Sequence, residues 1–231
     1  MKKNIILLAV IAVVLTSCST TTSTTLKTVA YKGMYDEKPL SILLMPPINN
    51  TTAVDAKEYF HSTLNVPLAN AGYYVIPPLL SMEILKKESA YDAEMFLKAP
   101  LNKFGEIFGA DLVMFTIINK WNKSYGNVSV GVEYILKSTK TNEIVYTRKG
   151  TVNYDTSSST SGGGLVGALV SVAATTISTA ATKYVDVARA CNGYALSDLP
   201  TGKYAPANPK ESEEFAGKND FNVNLNSNSA Y

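Results

Sequence analysis

The hydrophobic period changes partway along the chain, and that change limits the fold more than any other feature. Up to Ile118, short unbroken apolar runs alternate with segments of helical period; beyond it, apolar residues recur at every second position. The run Pro39-Leu40-Ser41-Ile42-Leu43-Leu44-Met45, ended by Pro46-Pro47, fits a buried strand. Ala53 to Ala71 has helical period. Tyr59, Phe60, Leu64, Val66 and Leu68 share a broad face, Pro67 threatens the last turn, and Gly72 is placed to end the helix. Tyr73-Tyr74-Val75-Ile76 reads as a second strand, stopped by Pro77-Pro78. Helical patterns follow over 79–88, 92–98 and 100–108, the last closed by Gly109. Leu112 to Ile118 is the most apolar run and belongs at the centre of a sheet. The order β-α-β-α-β, with connections long enough for crossovers, predicts parallel strands packed against helices.

The alternating part predicts different pairing. Val128 to Leu136 and Ile144 to Val152 flank the turn Thr139-Lys140-Thr141-Asn142, which is the pattern of a half-exposed antiparallel hairpin. The strand carrying Trp121 extends the same sheet. Ser157 to Gly164 is a low-complexity linker, and Leu165 to Val187 is a long Ala/Gly-rich helical stretch. The fold class expected is α/β: a mixed sheet packed with helices, plus a C-terminal Ala/Gly-rich helix.

The N-terminus predicts an exported chain. Met1-Lys2-Lys3 is basic, and Ile5 to Leu15 is almost unbroken apolar, too short to span a bilayer. Leu15-Thr16-Ser17-Cys18 resembles the bacterial lipobox, which implies acylation of Cys18 and anchoring through more than one acyl chain. By the same resemblance, Ser19 after the cysteine implies a periplasm-facing anchor in the outer membrane. The expected organisation is a signal peptide over 1–17, a lipidated Cys18 with a flexible Ser/Thr-rich tether over 18–28, an α/β domain over 29–205, and a disordered polar tail over 206–231.

Composition narrows the function classes. The 231 residues carry 21 Lys+Arg, 19 Asp+Glu and one His. Loss of Lys2 and Lys3 with the leader balances the charges, so neither nucleic acid nor anionic lipid has an electrostatic claim. One His and two Cys exclude a zinc finger or a disulfide scaffold. With Cys18 used by the anchor, Cys191 is expected as a buried thiol. His61 is expected at the surface or an interface, near Glu58. Gly162 to Gly167 matches GxGxxG literally, but no strand precedes it and none follows its helix, so no nucleotide site is expected. No HExxH, CxxC, Walker loop or GxSxG occurs, and the carboxylates are scattered. No cofactor, no metal and no enzymatic activity are expected.

Partner contacts are the remaining class. The 14 Tyr residues offer area with a polar tip. Candidate contacts are the hairpin 128–152, through Tyr134 and Tyr146, and the small residues Gly163, Gly167 and Ser171, which repeat every four positions on the predicted helix.

Three features together resemble one family: the strand ending Met45-Pro46-Pro47, the junction Phe108-Gly109-Ala110-Asp111-Leu112-Val113, and the ending Cys191-Asn192 with Leu199-Pro200-Thr201-Gly202-Lys203-Tyr204. They resemble a family of Gram-negative lipoproteins of unknown function, typified by a meningococcal surface-antigen candidate, over roughly residues 29 to 205. The resemblance implies an α/β fold similar to TolB amino-terminal and CsgG-like periplasmic domains. It carries no catalytic residue. It implies a non-enzymatic accessory of an envelope export or trafficking complex, partnered by a CsgG-like lipoprotein or by further copies of itself. The alternatives are a component of an oligomeric secretion pore and an envelope enzyme with an unrecognised site.

Overall fold

One mixed sheet of seven strands organises the chain in this computed structural model, which describes residues 25–156, 176–227 and 229. The expected leader, Cys18, the linker 157–164 and the small residues Gly163, Gly167 and Ser171 lie outside the described residues. So does the first part of the expected 165–187 helix.

Two short helices, α1 (Lys27–Ala30) and α2 (Lys32–Glu37), precede β1 (Ser41–Leu44) and β2 (Ile48–Asn49). Next come α3 (Ala56–Thr63), α4 (Asn65–Asn70), β3 (Tyr74–Val75) and α5 (Pro78–Lys87). A 3-10 turn over Ala93–Phe96 and α6 (Asn102–Phe108) lead into β4 (Leu112–Ser124), β5 (Asn127–Ser138) and β6 (Ile144–Asp155). The described part ends with α7 (Thr176–Leu196), a 3-10 turn over Glu211–Glu213, and β7 (Asp220–Asn226).

The strand order is β3-β1-β4-β5-β6-β7, with β2 also on β4. The change of period is a change of pairing: β1 is parallel to β3 and β4, whereas β4–β5 and β5–β6 are antiparallel. The segment 53–71 breaks into two helices at Leu64. Pro67 has no N–H to give, and its ring opposes the carbonyl four residues back, so one continuous helix is costly there. A bulge between Ile118 and Lys120 lets Ile118 and Trp121, three residues apart, reach the same core. Trp121 meets Phe60 edge-on, with ring centroids 6.3 Å apart.

Each face of the sheet has its own core. On one face, α3, α4 and α7 bury Leu112, Met114, Val130, Val132, Tyr134, Tyr146 and Val152. On the other, α5, the Ala93–Phe96 turn and α6 cover Leu43, Val113 and Phe115. The second cover reaches only as far as the β5 residue Ile135, which packs on it.

Two expected boundaries are corrected. Residues 206–231 are expected from composition to be a disordered tail, yet Asp220–Asn226 forms β7, parallel to β6 over seven residue pairs. Phe221 and Leu225 supply the apolar reason, since both are buried against the first core, and Phe221 meets Tyr194 edge-on. The tether is expected to run to Thr28, yet the chain is docked from Thr25, whose carbonyl accepts from Ala216 N–H at 2.8 Å. Leu26 bridges Phe215, and Lys27 N–H donates to the Glu214 carbonyl at 2.9 Å.

Candidate functional site

The motif residues turn out to be joints of the fold. Gly109 closes α6 in the left-handed region at φ 66°, which a glycine adopts without steric cost. Asp111 then ties the start of β4 to the start of β1: its Oδ2 accepts from Leu40 N–H at 2.9 Å and Ser41 N–H at 3.3 Å. Ser41 Oγ donates back to the Gly109 carbonyl at 2.8 Å. Partial burial would raise the Asp111 carboxyl, but the Leu40 and Ser41 amides and the Lys140 ammonium, 3.1 Å away, outweigh it and hold it below the usual range.

The second motif locks α7. Asn192 is fully buried, and its amide nitrogen donates to the Phe60 carbonyl at 3.1 Å and to Thr63 Oγ1 at 2.8 Å. Its oxygen accepts from Tyr134 O–H at 2.7 Å. One side chain thereby fastens α7 to α3 and to β5. Further on, Tyr73 O–H donates to the Pro200 carbonyl at 2.7 Å. Gly202 lies so close to Gly72 that a Cβ on Gly202 would meet the Gly72 oxygen at 2.4 Å. Cys191 is buried and free, as expected, and burial pushes its thiol well above the ordinary range.

Tyr134 and Tyr146, expected as partner contacts on an exposed hairpin, are instead among the largest fully buried side chains. Alternation puts them on the inner face, where α7 covers them. Tyr146 O–H donates to the Ala195 carbonyl at 2.6 Å. Burial pushes both phenols far above their usual range, so both stay protonated donors. Beside them, buried Arg148 donates to the Tyr194 and Ala195 carbonyls at 3.2 and 3.1 Å, satisfying the open C-terminal end of α7. Asp198 accepts from Tyr31 O–H and from Gly217 N–H, the latter at 2.7 Å, and lies 3.7 Å from Lys27 Nζ. No sequence motif marks this second network, because its members are scattered over nearly the whole chain.

The outer face of the same strands is different. Lys120 and Asn122 on β4, Ser129 and Glu133 on β5, Lys149, Thr151 and Asn153 on β6, and Asn222 and Asn224 on β7 are exposed or half-exposed. They share one side by register. Ser129 Oγ donates to Asn153 Oδ1 at 2.8 Å, and Asn153 Nδ2 donates to Asn224 Oδ1 at 3.2 Å. Among the described residues, no helix packs over this part of the sheet. It is a mixed-charge, amide-rich surface with no aromatic side chain.

Sites for chemistry are sparse among the described residues. No group of three or more His, Cys, Asp and Glu side chains comes together to hold a metal ion. No helix is long and apolar enough to cross a membrane. His61, expected at the surface with Glu58, has both ring nitrogens shielded from water without a hydrogen-bond partner. Burial lowers its pKa, partly offset by Glu58, so the ring is held neutral.

Comparison with known proteins gives a consistent set of likenesses. A family model described as “Putative lipoprotein GNA1162-like” matches residues 29–203. A relative from Neisseria meningitidis serogroup B, “Putative lipoprotein NMB1124/NMB1162”, is 28% identical over 156 residues, covering 66% of this chain and 72% of the relative. Among solved structures, lipoprotein GNA1162 from Neisseria meningitidis matches with a TM-score of 0.48 at 26% identity, covering 62% of this chain and 99% of that one. A PelC dodecamer from Paraburkholderia phytofirmans matches with a TM-score of 0.40 at 16% identity, covering 72% of this chain and 91% of that one.

Proposed function

The chain belongs to the GNA1162-like lipoprotein family, and from that premise we propose that it is a lipid-anchored, non-enzymatic component of a cell-envelope export or assembly complex. It acts through protein–protein contacts. The observation that carries this reading is the outer face of β4 to β7, over which no helix packs among the described residues. A sheet face that is polar and left open by the described helices offers a partner a broad hydrogen-bonding surface, whereas the titratable groups of the inner face are consumed in holding the fold.

Cys18 carries the anchor, in the periplasm-facing leaflet of the outer membrane. The seven residues from Cys18 to Thr25 span at most about 25 Å, so the domain stays close to the bilayer. Exposed Phe215 and Val29 lie where the chain leaves the domain, on the side the anchor must face. A CsgG-like envelope lipoprotein is the partner this reading favours, with Gly163, Gly167 and Ser171 as a close-packing contact of their own.

Gentle detergent extraction of the tagged full chain, followed by native mass and subunit composition, tests the proposal. A stable assembly with another envelope protein is expected. The paired substitution Asn122→Arg with Asn224→Arg should release that partner while leaving the fold intact. A clean monomer, or an assembly indifferent to those two arginines, overturns the contact surface. The Cys18→Ser variant should leave the membrane fraction; if it stays, the anchor assignment fails.

A further inference from the structure

A cleft of about 460 Å³ opens between α2, the residues leading into β1, and the segment 200–211. Its floor is apolar, made by Met34, Leu40, Tyr73 and Pro200. That volume lies within the range of small-molecule sites, near the size of two or three amino-acid residues. A second hollow of about 350 Å³ continues it and shares Thr201, Asn208 and Glu211 with it.

Two polar features mark the cleft as more than a fold in the surface. Glu211 accepts from Thr201 N–H through Oε1 at 2.5 Å, and among the described residues its other oxygen makes no hydrogen bond. Its charge is felt by both Tyr35 and Tyr73; with burial as the larger cause, it helps push the Tyr35 phenol up to about 12. At the other side, Lys38 and Lys203 line the rim, and neither has an ion-pair partner among the described residues. Lys38 is held by the backbone in the left-handed region at φ 47°, where it ends α2. The cleft therefore has an anionic group and two cations, without an ion-pair partner among the described residues, around an apolar floor.

We propose that this cleft binds a short zwitterionic peptide of two or three residues, its amine on Glu211 and its carboxylate on Lys38 and Lys203. Apolar side chains of the peptide lie on the Met34–Leu40–Tyr73 floor. A purely anionic amphiphile fits less well, because Glu211 opposes a second negative charge at that end. The site is independent of the outer sheet face, so either can fail alone.

Calorimetric titration of the full chain with the tripeptide Ala-Leu-Ala tests the proposal. Saturable one-to-one binding is expected. N-acetylation or C-amidation of the peptide should each weaken it about tenfold, the effect of losing one charged hydrogen bond. Glu211→Gln keeps the acceptor for Thr201 and should remove the penalty for N-acetylation. Lys38→Gln with Lys203→Gln should remove the penalty for C-amidation. Far-ultraviolet circular dichroism and thermal midpoints confirm that each variant is folded. No binding at millimolar peptide, or equal binding of free and doubly blocked peptide, overturns the proposal. Binding of the N-acetylated form as tight as the free form replaces the free peptide with a protein C-terminus as ligand and overturns it as stated.

Discussion

The two faces of the β5–β6–β7 strands are built from the same alternating pattern and put to opposite uses. On the inner face, Tyr134, Tyr146 and Arg148 are buried, and their polar atoms end on Asn192 and on the last carbonyls of α7. On the outer face, Ser129, Asn153 and Asn224 bond sideways to one another and keep contact with water. The contrast teaches that polarity alone does not mark a contact surface. A tyrosine hydroxyl satisfied inside the fold is a fastening. An amide row left open by the described helices is available to a partner.

The largest effect expected from breaking this contrast is at Asn192. Asn192→Ala removes three buried hydrogen bonds and strands the Tyr134 hydroxyl. A loss of about 3 kcal/mol in a denaturant melt is expected, or roughly 6–12 °C in thermal midpoint. A loss under about 1 kcal/mol would mean that the amide does not bridge α3, α7 and β5. Tyr134→Phe cuts one bond of the same set and leaves Asn192 Oδ1 without its donor, so about 1 kcal/mol should disappear.

Asp111 gives a smaller effect with a definite sign. Its folded pKa lies below the ordinary 3.8, so its stabilisation is present above about pH 4 and is lost as pH falls through the folded value. Acid titration of stability should therefore be shallower for Asp111→Asn than for the parent chain below pH 4. Equal slopes would show that the carboxylate does not hold the β1–β4 junction. The smallest stability effect belongs to the outer face, where Asn122→Arg with Asn224→Arg should shift stability by no more than about 0.5 kcal/mol. A large destabilisation there would mean that this face is packed rather than open.

Much of the fold is legible along the chain. The run Leu112 to Ile118 sits at the interior of the sheet because nothing but burial on both faces suits it, and the switch to alternation marks the antiparallel hairpin. The family motifs are visible as well, but not what they do, since Asp111 and Asn192 read as markers and act as joints. Tyr134 and Tyr146 read as surface contacts because period two says that one face is buried without saying which neighbour buries it. The strand Asp220–Asn226 reads as a solvated tail because of its Asn-rich composition, and only three of its residues are apolar.

The sequence by itself determined the α/β class, the order of parallel and antiparallel strands, and an isolated, inert Cys191, because hydrophobic period and residue chemistry are local properties. Tertiary structure alone decided which tyrosines face inward. It decided that Lys27, Tyr31, Asp198 and Gly217 meet, that Arg148 closes the end of α7, and that the chain's last strand extends the sheet as β7. The reason is that burial and hydrogen-bond satisfaction depend on partners more than a hundred residues away: Tyr31 finds Asp198, and Asn192 finds Phe60, only once the helices have packed onto the sheet.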